Sequence, residues 1–196
     1  NTITFKDGKY YGTITDGIGF TRSLEEQGWL IKDKKITMVG AGGASTAIMV
    51  QLALDGVKEI IVYNRTMRTE FQEIINNTII ETGCTITLKS LSDLESLKKD
   101  MHSSYLFINT TGVGMEPMLE RSVVPDASYF KPDLKVADII YQPAVTKMLR
   151  LAKEAGCATM NGELMLLYQG VESFKIWTGQ EMPINEVKKV LGIEVK

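Results

Sequence analysis

Between Lys35 and Thr66 the chain reads KITMVGAGGASTAIMVQLALDGVKEIIVYNRT, and no other stretch restricts the fold as strongly. A short apolar strand (Ile36 to Val39) runs into a glycine-rich turn (Gly40, Gly42, Gly43). A helix rich in Ala, Leu, Ile and Met follows, then a second apolar strand (Glu59 to Tyr63). The first glycine permits the tight turn out of the strand, and the second lets the backbone approach a pyrophosphate held on the helix N-terminus. Ser45 stands where the third glycine of the fingerprint is expected, yet all four parts fall within the roughly thirty residues that such a β-α-β unit occupies. A structural turn without a ligand is the competing reading.

The rest of the chain extends this unit into an α/β fold: a Rossmann-like, doubly wound, mostly parallel sheet with helices on both faces, preceded by a β-hairpin. Asn1 to Thr15 alternates Ile3 and Phe5 with polar residues, turns at Asp7-Gly8 and resumes with Tyr10, Tyr11 and Ile14, which predicts the hairpin. Asp16 stands at the strand exit, before a helical stripe of Ile18, Phe20 and Leu24 that Gly28 ends. A carboxylate there is a helix N-cap or a functional group, and the local pattern leaves both open. Met67 to Glu81 reads as a helix, Thr85 to Leu88 as a strand, and the following amphipathic helix has Ser92 and Asp93 as capping candidates. Tyr105 to Ile108 is a buried strand. Asn109 to Met115 lies at its end, where the crevice of a doubly wound sheet opens, so this loop is a cofactor lip or a plain polar turn.

Lys135 to Tyr141 is read as another buried strand, and Pro143 as the opening of a helix that Gly156 ends. After a short strand, Cys157 to Met160, Asn161-Gly162 leads into a long helix. Its Leu164, Leu167, Tyr168, Val171, Phe174 and Trp177 recur at helical spacing and are assigned to the core. Gln169 is polar beside that stripe. A short amphipathic helix from Pro183 to Gly192 closes the pattern.

Composition excludes several classes of function. The 196 residues carry 22 basic and 24 acidic side chains, spread rather than blocked, so neither nucleic acid nor a membrane surface is an expected partner. No apolar run approaches a membrane span and no signal peptide is visible, which predicts a cytoplasmic protein. Cys84 and Cys157 lack any metal-ligand spacing and are expected to be reduced thiols. His102, the single histidine, makes no metal site on its own. Small molecules, or a second copy in a homodimer, remain as partners.

The cofactor can be argued from charge. In the dinucleotide fold a carboxylate at the end of the second strand accepts the ribose hydroxyls of NAD. This chain has Asn64 there, then Arg65, Thr66 and Arg68. An amide, a hydroxyl and guanidiniums bind a 2′-phosphate that a carboxylate repels, so the sequence favours NADP.

Several motifs recur in one order along the chain: Asn1-Thr2 before a hairpin, Thr15-Asp16-Gly17-Ile18-Gly19-Phe20, Gly40-Ala41-Gly42-Gly43-Ala44, Asn64-Arg65-Thr66, Asn109-Thr110-Thr111 with Val113-Gly114-Met115, Asp138-Ile139-Ile140-Tyr141 with Pro143, and Asn161-Gly162 through Met165, Tyr168-Gln169-Gly170 and Trp177-Thr178-Gly179. In combination they resemble the shikimate dehydrogenase family and its quinate/shikimate dehydrogenase relatives. The resemblance implies reversible NADP-dependent reduction of 3-dehydroshikimate to shikimate, in aromatic amino acid biosynthesis, with quinate and NAD as further substrate and cofactor. It implies three parts: a remnant of a substrate domain over 1–16, the NADP domain over 17–179 and a C-terminal helix over 180–196. The chain, starting at Asn1 without methionine, is expected to be a fragment.

By the same resemblance Asp16 is catalytic, pairing with a lysine on the missing substrate domain, and Asn1, Tyr141 and Gln169 join it around the substrate. Gly40, Ala41, Gly42, Gly43 and Ala44 would hold the pyrophosphate, and Asn64, Arg65, Thr66 and Arg68 the adenosine phosphate. Thr110, Ile139, Gly162 and Met165 would line the nicotinamide half; no metal is implied. The family usually has Asn where this chain has Ile14. Two rivals remain: the NADP domain of glutamyl-tRNA reductase, which lacks the Thr15-Asp16 and Gln169 features, and a module that binds NADP without turnover.

Overall fold

A computed structural model describes residues 1–193. The chain opens with an antiparallel hairpin of β1 (Thr2–Lys6) and β2 (Lys9–Thr13), joined by Asp7 and Gly8 at φ 52° and 76°. Positive φ at both turn residues is what a two-residue Asp-Gly connection requires. Helix α1 (Asp16–Glu26) leads to β3 (Lys35–Val39), α2 (Gly43–Leu54), β4 (Glu59–Asn64), α3 (Thr69–Thr82), β5 (Thr85–Ser90), α4 (Leu94–Ser103) and β6 (Leu106–Asn109). Then come β7 (Lys135–Asp138), α5 (Lys147–Glu154), β8 (Ala158–Met160), α6 (Glu163–Thr178) and α7 (Ile184–Leu191).

The six strands after the hairpin form one parallel sheet in the order β5-β4-β3-β6-β7-β8. The chain winds outward from β3 to β5, then restarts at β6 on the other side of β3. The switch point therefore lies between β3 and β6, and a crevice opens beyond their carboxyl ends.

Side chains alternate along each strand between two cores. Ile36, Met38, Ile60, Val62, Leu106 and Ile108 pack with α1, α2 and α3. Val39, Ile61, Tyr63, Phe107 and Val136 pack with α4 and α5 on the opposite face. Two glycines seat α1: a Cβ at Gly17 would stand 2.5 Å from the Ala47 carbonyl oxygen, and one at Gly19 would stand 2.6 Å from the Gln169 nitrogen. Only a bare backbone brings α1 this close to α2 and α6 at once.

Several sequence expectations are corrected here. The strand from Lys135 stops at Asp138, because the Asp138 carboxylate accepts the Ile140 N–H at 3.1 Å and turns the chain. Pro143 lies in a loop; α5 begins at Lys147 with Thr146 as its cap, accepting the Leu149 N–H at 3.3 Å. Trp177 is 61% exposed rather than core, and its indole N–H donates to the Ile3 carbonyl at 3.0 Å. Phe174 is half-buried. Asp93 caps α4 as expected, accepting the Ser96 N–H. Of the expected C-terminal segment, residues 194–196 lie outside the described residues. No helix among the described residues is long and apolar enough to cross a membrane.

Candidate functional site

The turn after β3 is set by Gly40, whose φ is 121° and whose N–H donates to the Tyr63 carbonyl at 2.8 Å. A Cβ there would stand 2.4 Å from Thr110 Oγ1, so the β3 and β6 ends can meet only over a glycine. Ser45 is fully buried and donates to the Gly40 carbonyl at 2.6 Å. That bond explains the serine at the third glycine position: it ties the turn to the first turn of α2. Gly42 is the N-cap of α2, with no side-chain cap and no acidic residue in the first turn. No side chain thus competes with a ligand anion for the free N–H groups of this helix end.

A groove of about 800 Å³ runs along this turn. Gly40, Ala41, Gly42, Asn64, Arg65, Arg68, Thr110 to Val113, residues 120–125 and Lys147 line it. Asn64 Nδ2 donates to the Thr66 carbonyl at 2.7 Å and folds the segment that carries Arg65. Among the described residues neither Arg65 nor Arg68 has a side-chain partner. Exposed guanidiniums left without a carboxylate are suited to a phosphate.

A second cavity of about 710 Å³ shares Thr110, Thr111 and Gly112 with the groove and is completed by Met115, Leu119, Ile139, Tyr141 and Pro143. Both of its walls hang from one buried carboxylate. Asp138 is completely buried, and it accepts from Asn109 Nδ2 at 3.0 Å, Thr146 Oγ1 at 2.8 Å and the Ile140 N–H. Asn109 also donates to the Val113 carbonyl and accepts the Thr111 N–H and hydroxyl, so the 109–113 loop is laced to the same point. Burial pushes the Asp138 carboxyl up to about 6, against the three hydrogen bonds that hold it down. Gly162 brings the start of α6 onto this wall: its N–H donates to the Ile140 carbonyl at 3.0 Å, and a Cβ would lie 2.0 Å from the Ile139 carbonyl oxygen.

The third feature joins the start of the chain to α6. Asn1 Nδ2 lies 2.5 Å from Asp16 Oδ1, 3.0 Å from Thr15 Oγ1 and 3.2 Å from Gln169 Oε1, while Asn1 Oδ1 accepts the Thr15 N–H at 3.0 Å. Asp16 is half-buried, and its Oδ2 has no partner among the described residues. Beneath it, buried Thr2, Thr15 and Ser173 are linked through their hydroxyls, and Thr15 donates to the Gln169 carbonyl. The N-cap of α1 is Thr15, without a side-chain cap bond, and Asp16 is the first helical residue. The capping alternative for Asp16 is therefore set aside.

The structure thus gathers the expected residues into three places. Gly40, Ala41, Gly42, Asn64, Arg65, Arg68 and Thr110 share the groove, Thr110, Ile139 and Tyr141 share the second cavity, and Asn1, Asp16 and Gln169 meet at α1 and α6. Gly43 and Ala44 open α2, Thr66 contributes its carbonyl to Asn64, and Met165 is buried in the core beneath α1. Tyr141 is 49% exposed and makes no hydrogen bond to the Asn1 cluster. Reasoning from sequence missed Ser173, Asp138 as a hub and Thr146. For Ser173 a signal existed: one helical turn after Gln169, it is a second polar residue inside an apolar stripe.

Comparison with known proteins decides the family. The profile of the Shikimate / quinate 5-dehydrogenase family matches residues 23–148, and that of the Shikimate 5'-dehydrogenase C-terminal domain matches residues 162–191. This chain belongs to the shikimate/quinate dehydrogenase family. A shikimate dehydrogenase (NADP(+)) of Listeria innocua serovar 6a is 44% identical over 195 residues, covering 97% of this chain. This chain spans 66% of that relative's length. The crystal structure of shikimate 5-dehydrogenase from Listeria monocytogenes in complex with shikimate and NAD superposes with a TM-score of 0.90 at 43% identity, over 96% of this chain and 66% of the other. A shikimate dehydrogenase in complex with NADP+ gives 0.83 at 34% identity, over 98% and 66%. Membership in the shikimate/quinate dehydrogenase family sets the glutamyl-tRNA reductase alternative aside.

Proposed function

We propose that this chain is the dinucleotide-binding part of a shikimate dehydrogenase, and that the whole protein reversibly reduces 3-dehydroshikimate to shikimate with NADP. The observation that carries the reading is the meeting of Asn1, Asp16 and Gln169, residues far apart in the sequence that leave one carboxylate oxygen free beside two amides. Such a set recognises a polyhydroxylated acid, since amides and a carboxylate between them donate to and accept from hydroxyls.

NADP, when bound, supplies or removes a hydride at its nicotinamide ring. The residues of this chain do the rest. The free N–H groups at the Gly42 end of α2 hold the pyrophosphate. Arg65 and Arg68 neutralise the 2′-phosphate, which supports NADP; the Listeria monocytogenes relative with NAD makes NAD a second cofactor worth testing. Asp16 orients a lysine from the part of the protein that precedes Asn1 in its relatives and stabilises its charge, and that lysine moves the hydroxyl proton. Asn1, Gln169 and Tyr141 position the substrate, whether shikimate or quinate.

The test is a shikimate-dependent rise in NADPH absorbance. The whole protein shows it. Residues 1–196 alone bind NADP and show none, because the proton-transferring lysine is absent; turnover by residues 1–196 would remove that assignment.

A further inference from the structure

We infer that Arg121 and Lys147, which line the groove together with Arg65 and Arg68, form a second cationic clamp on the pyrophosphate common to NADP and NAD. The inference rests on the cofactor reading above.

Arg121 is exposed and Lys147 half-buried, and both line the groove. Neither side chain has an ion pair or hydrogen bond among the described residues. The position of Lys147 is costly for the free protein. It is the first residue of α5, where the helix dipole disfavours a cation, and no acidic residue in that first turn offsets it. The carboxylate that could neutralise this pair is drawn away. Glu120 lines the groove, but Arg150, one turn further along α5, binds both of its oxygens at 2.9 and 3.2 Å. The groove is thus bordered by Arg65, Arg68, Arg121 and Lys147 in a chain whose net charge is -2, and a groove that concentrates uncompensated positive charge attracts a polyanion.

The two pairs divide the work. Arg65 and Arg68 follow the end of β4, where the cofactor reading puts the 2′-phosphate. Arg121 and Lys147 line the same groove as the Gly40 turn and the 110–113 loop, and on this proposal they take the charge present in either dinucleotide.

The experiment titrates the chain with NADPH and with NADH by cofactor fluorescence. It is run at low and at physiological salt, for the unsubstituted chain, Arg65→Ala, and Arg121→Ala combined with Lys147→Gln. The double variant is expected to lose about tenfold in affinity for both dinucleotides and to show a shallower salt dependence, the size of two partly exposed ion pairs. Arg65→Ala is expected to lose affinity for NADPH alone, by roughly 10- to 150-fold. Lys147→Gln by itself is expected to raise the Tm of the ligand-free chain by about 1–3 °C while weakening both cofactors, an opposition that a purely structural lysine would not produce. Unchanged affinities in the double variant overturn the clamp, and so does a loss confined to NADPH, which would assign the pair to the 2′-phosphate. Failure of the unsubstituted chain to bind either dinucleotide overturns the cofactor reading and the clamp together, and is recognisable because no variant is needed to see it.

Discussion

Two clusters in this chain use the same three side-chain types to opposite ends. Where the ends of β6 and β7 meet the cap of α5, Asn109, Asp138 and Thr146 form a hub in which both carboxylate oxygens accept hydrogen bonds and nothing reaches solvent. At the start of the chain, Asn1, Asp16 and Thr15 form a similar set, but Asp16 is half-buried and only its Oδ1 is engaged. A saturated, buried carboxylate can only hold structure. A half-open one with a free oxygen can bind. The difference lies in what covers each carboxylate, since the residue types are shared.

Truncation should separate them most strongly in stability. Asp138→Ala strands the Ile140 N–H, the Thr146 hydroxyl and one Asn109 amide hydrogen in a site without solvent. At about 1 to 3 kcal/mol for each unsatisfied donor, with partial relaxation, the expected cost is about 4 kcal/mol in urea denaturation at pH 5. Asp16→Ala, at a half-open position, should cost less than about 1 kcal/mol. Equal losses at the two sites would erase the distinction.

Turnover should reverse the order. Asp16→Asn keeps the volume and the oxygen that Asn1 contacts, so the fold and NADPH binding should be unchanged. On the proposed function it removes the charge that would orient the proton-transferring lysine. In the whole protein, kcat for shikimate oxidation is expected to fall about 100-fold, the lower end of what acid-base machinery contributes, or about 2.7 kcal/mol of barrier. A wild-type kcat and KM would take Asp16 out of the reaction.

Legibility in the sequence follows the distance over which each feature is made. The Gly40 turn and the β3-α2-β4 unit are contiguous, so periodicity and glycine placement reveal them. The Asp7-Gly8 hairpin is local too. The Asp138 hub joins β6, β7 and the cap of α5, and it overrides the local pattern: the strand ends at Asp138 although the apolar run continues through Ile139-Ile140, and Thr146 rather than Pro143 caps the helix. The Asn1–Gln169 contact spans 168 residues. Nothing in either local pattern announces it, and only the family resemblance brought the two residues to one substrate. Trp177 shows the limit of periodicity, which finds the face of a helix but not where the helix leaves its core.

The smallest effect is the most diagnostic, because it depends on charge alone. The Asp138 carboxyl is pushed up to about 6 by burial, above its ordinary value of 3.8. The folded state therefore binds a proton more tightly than the unfolded chain does. Stability from this group is gained as pH falls through about 6 and withheld above it, the reverse of an ion-paired carboxylate. Between pH 7.5 and pH 5 the gain amounts to about 1.4 kcal/mol, one tenfold step in the folding equilibrium. Asp138→Asn keeps an oxygen for Asn109 and Ile140 and cannot titrate, so the difference in unfolding free energy between the wild-type chain and this variant should shift by that amount in favour of wild type at the lower pH. If that difference did not move with pH, burial would not be what sets the Asp138 carboxylate apart.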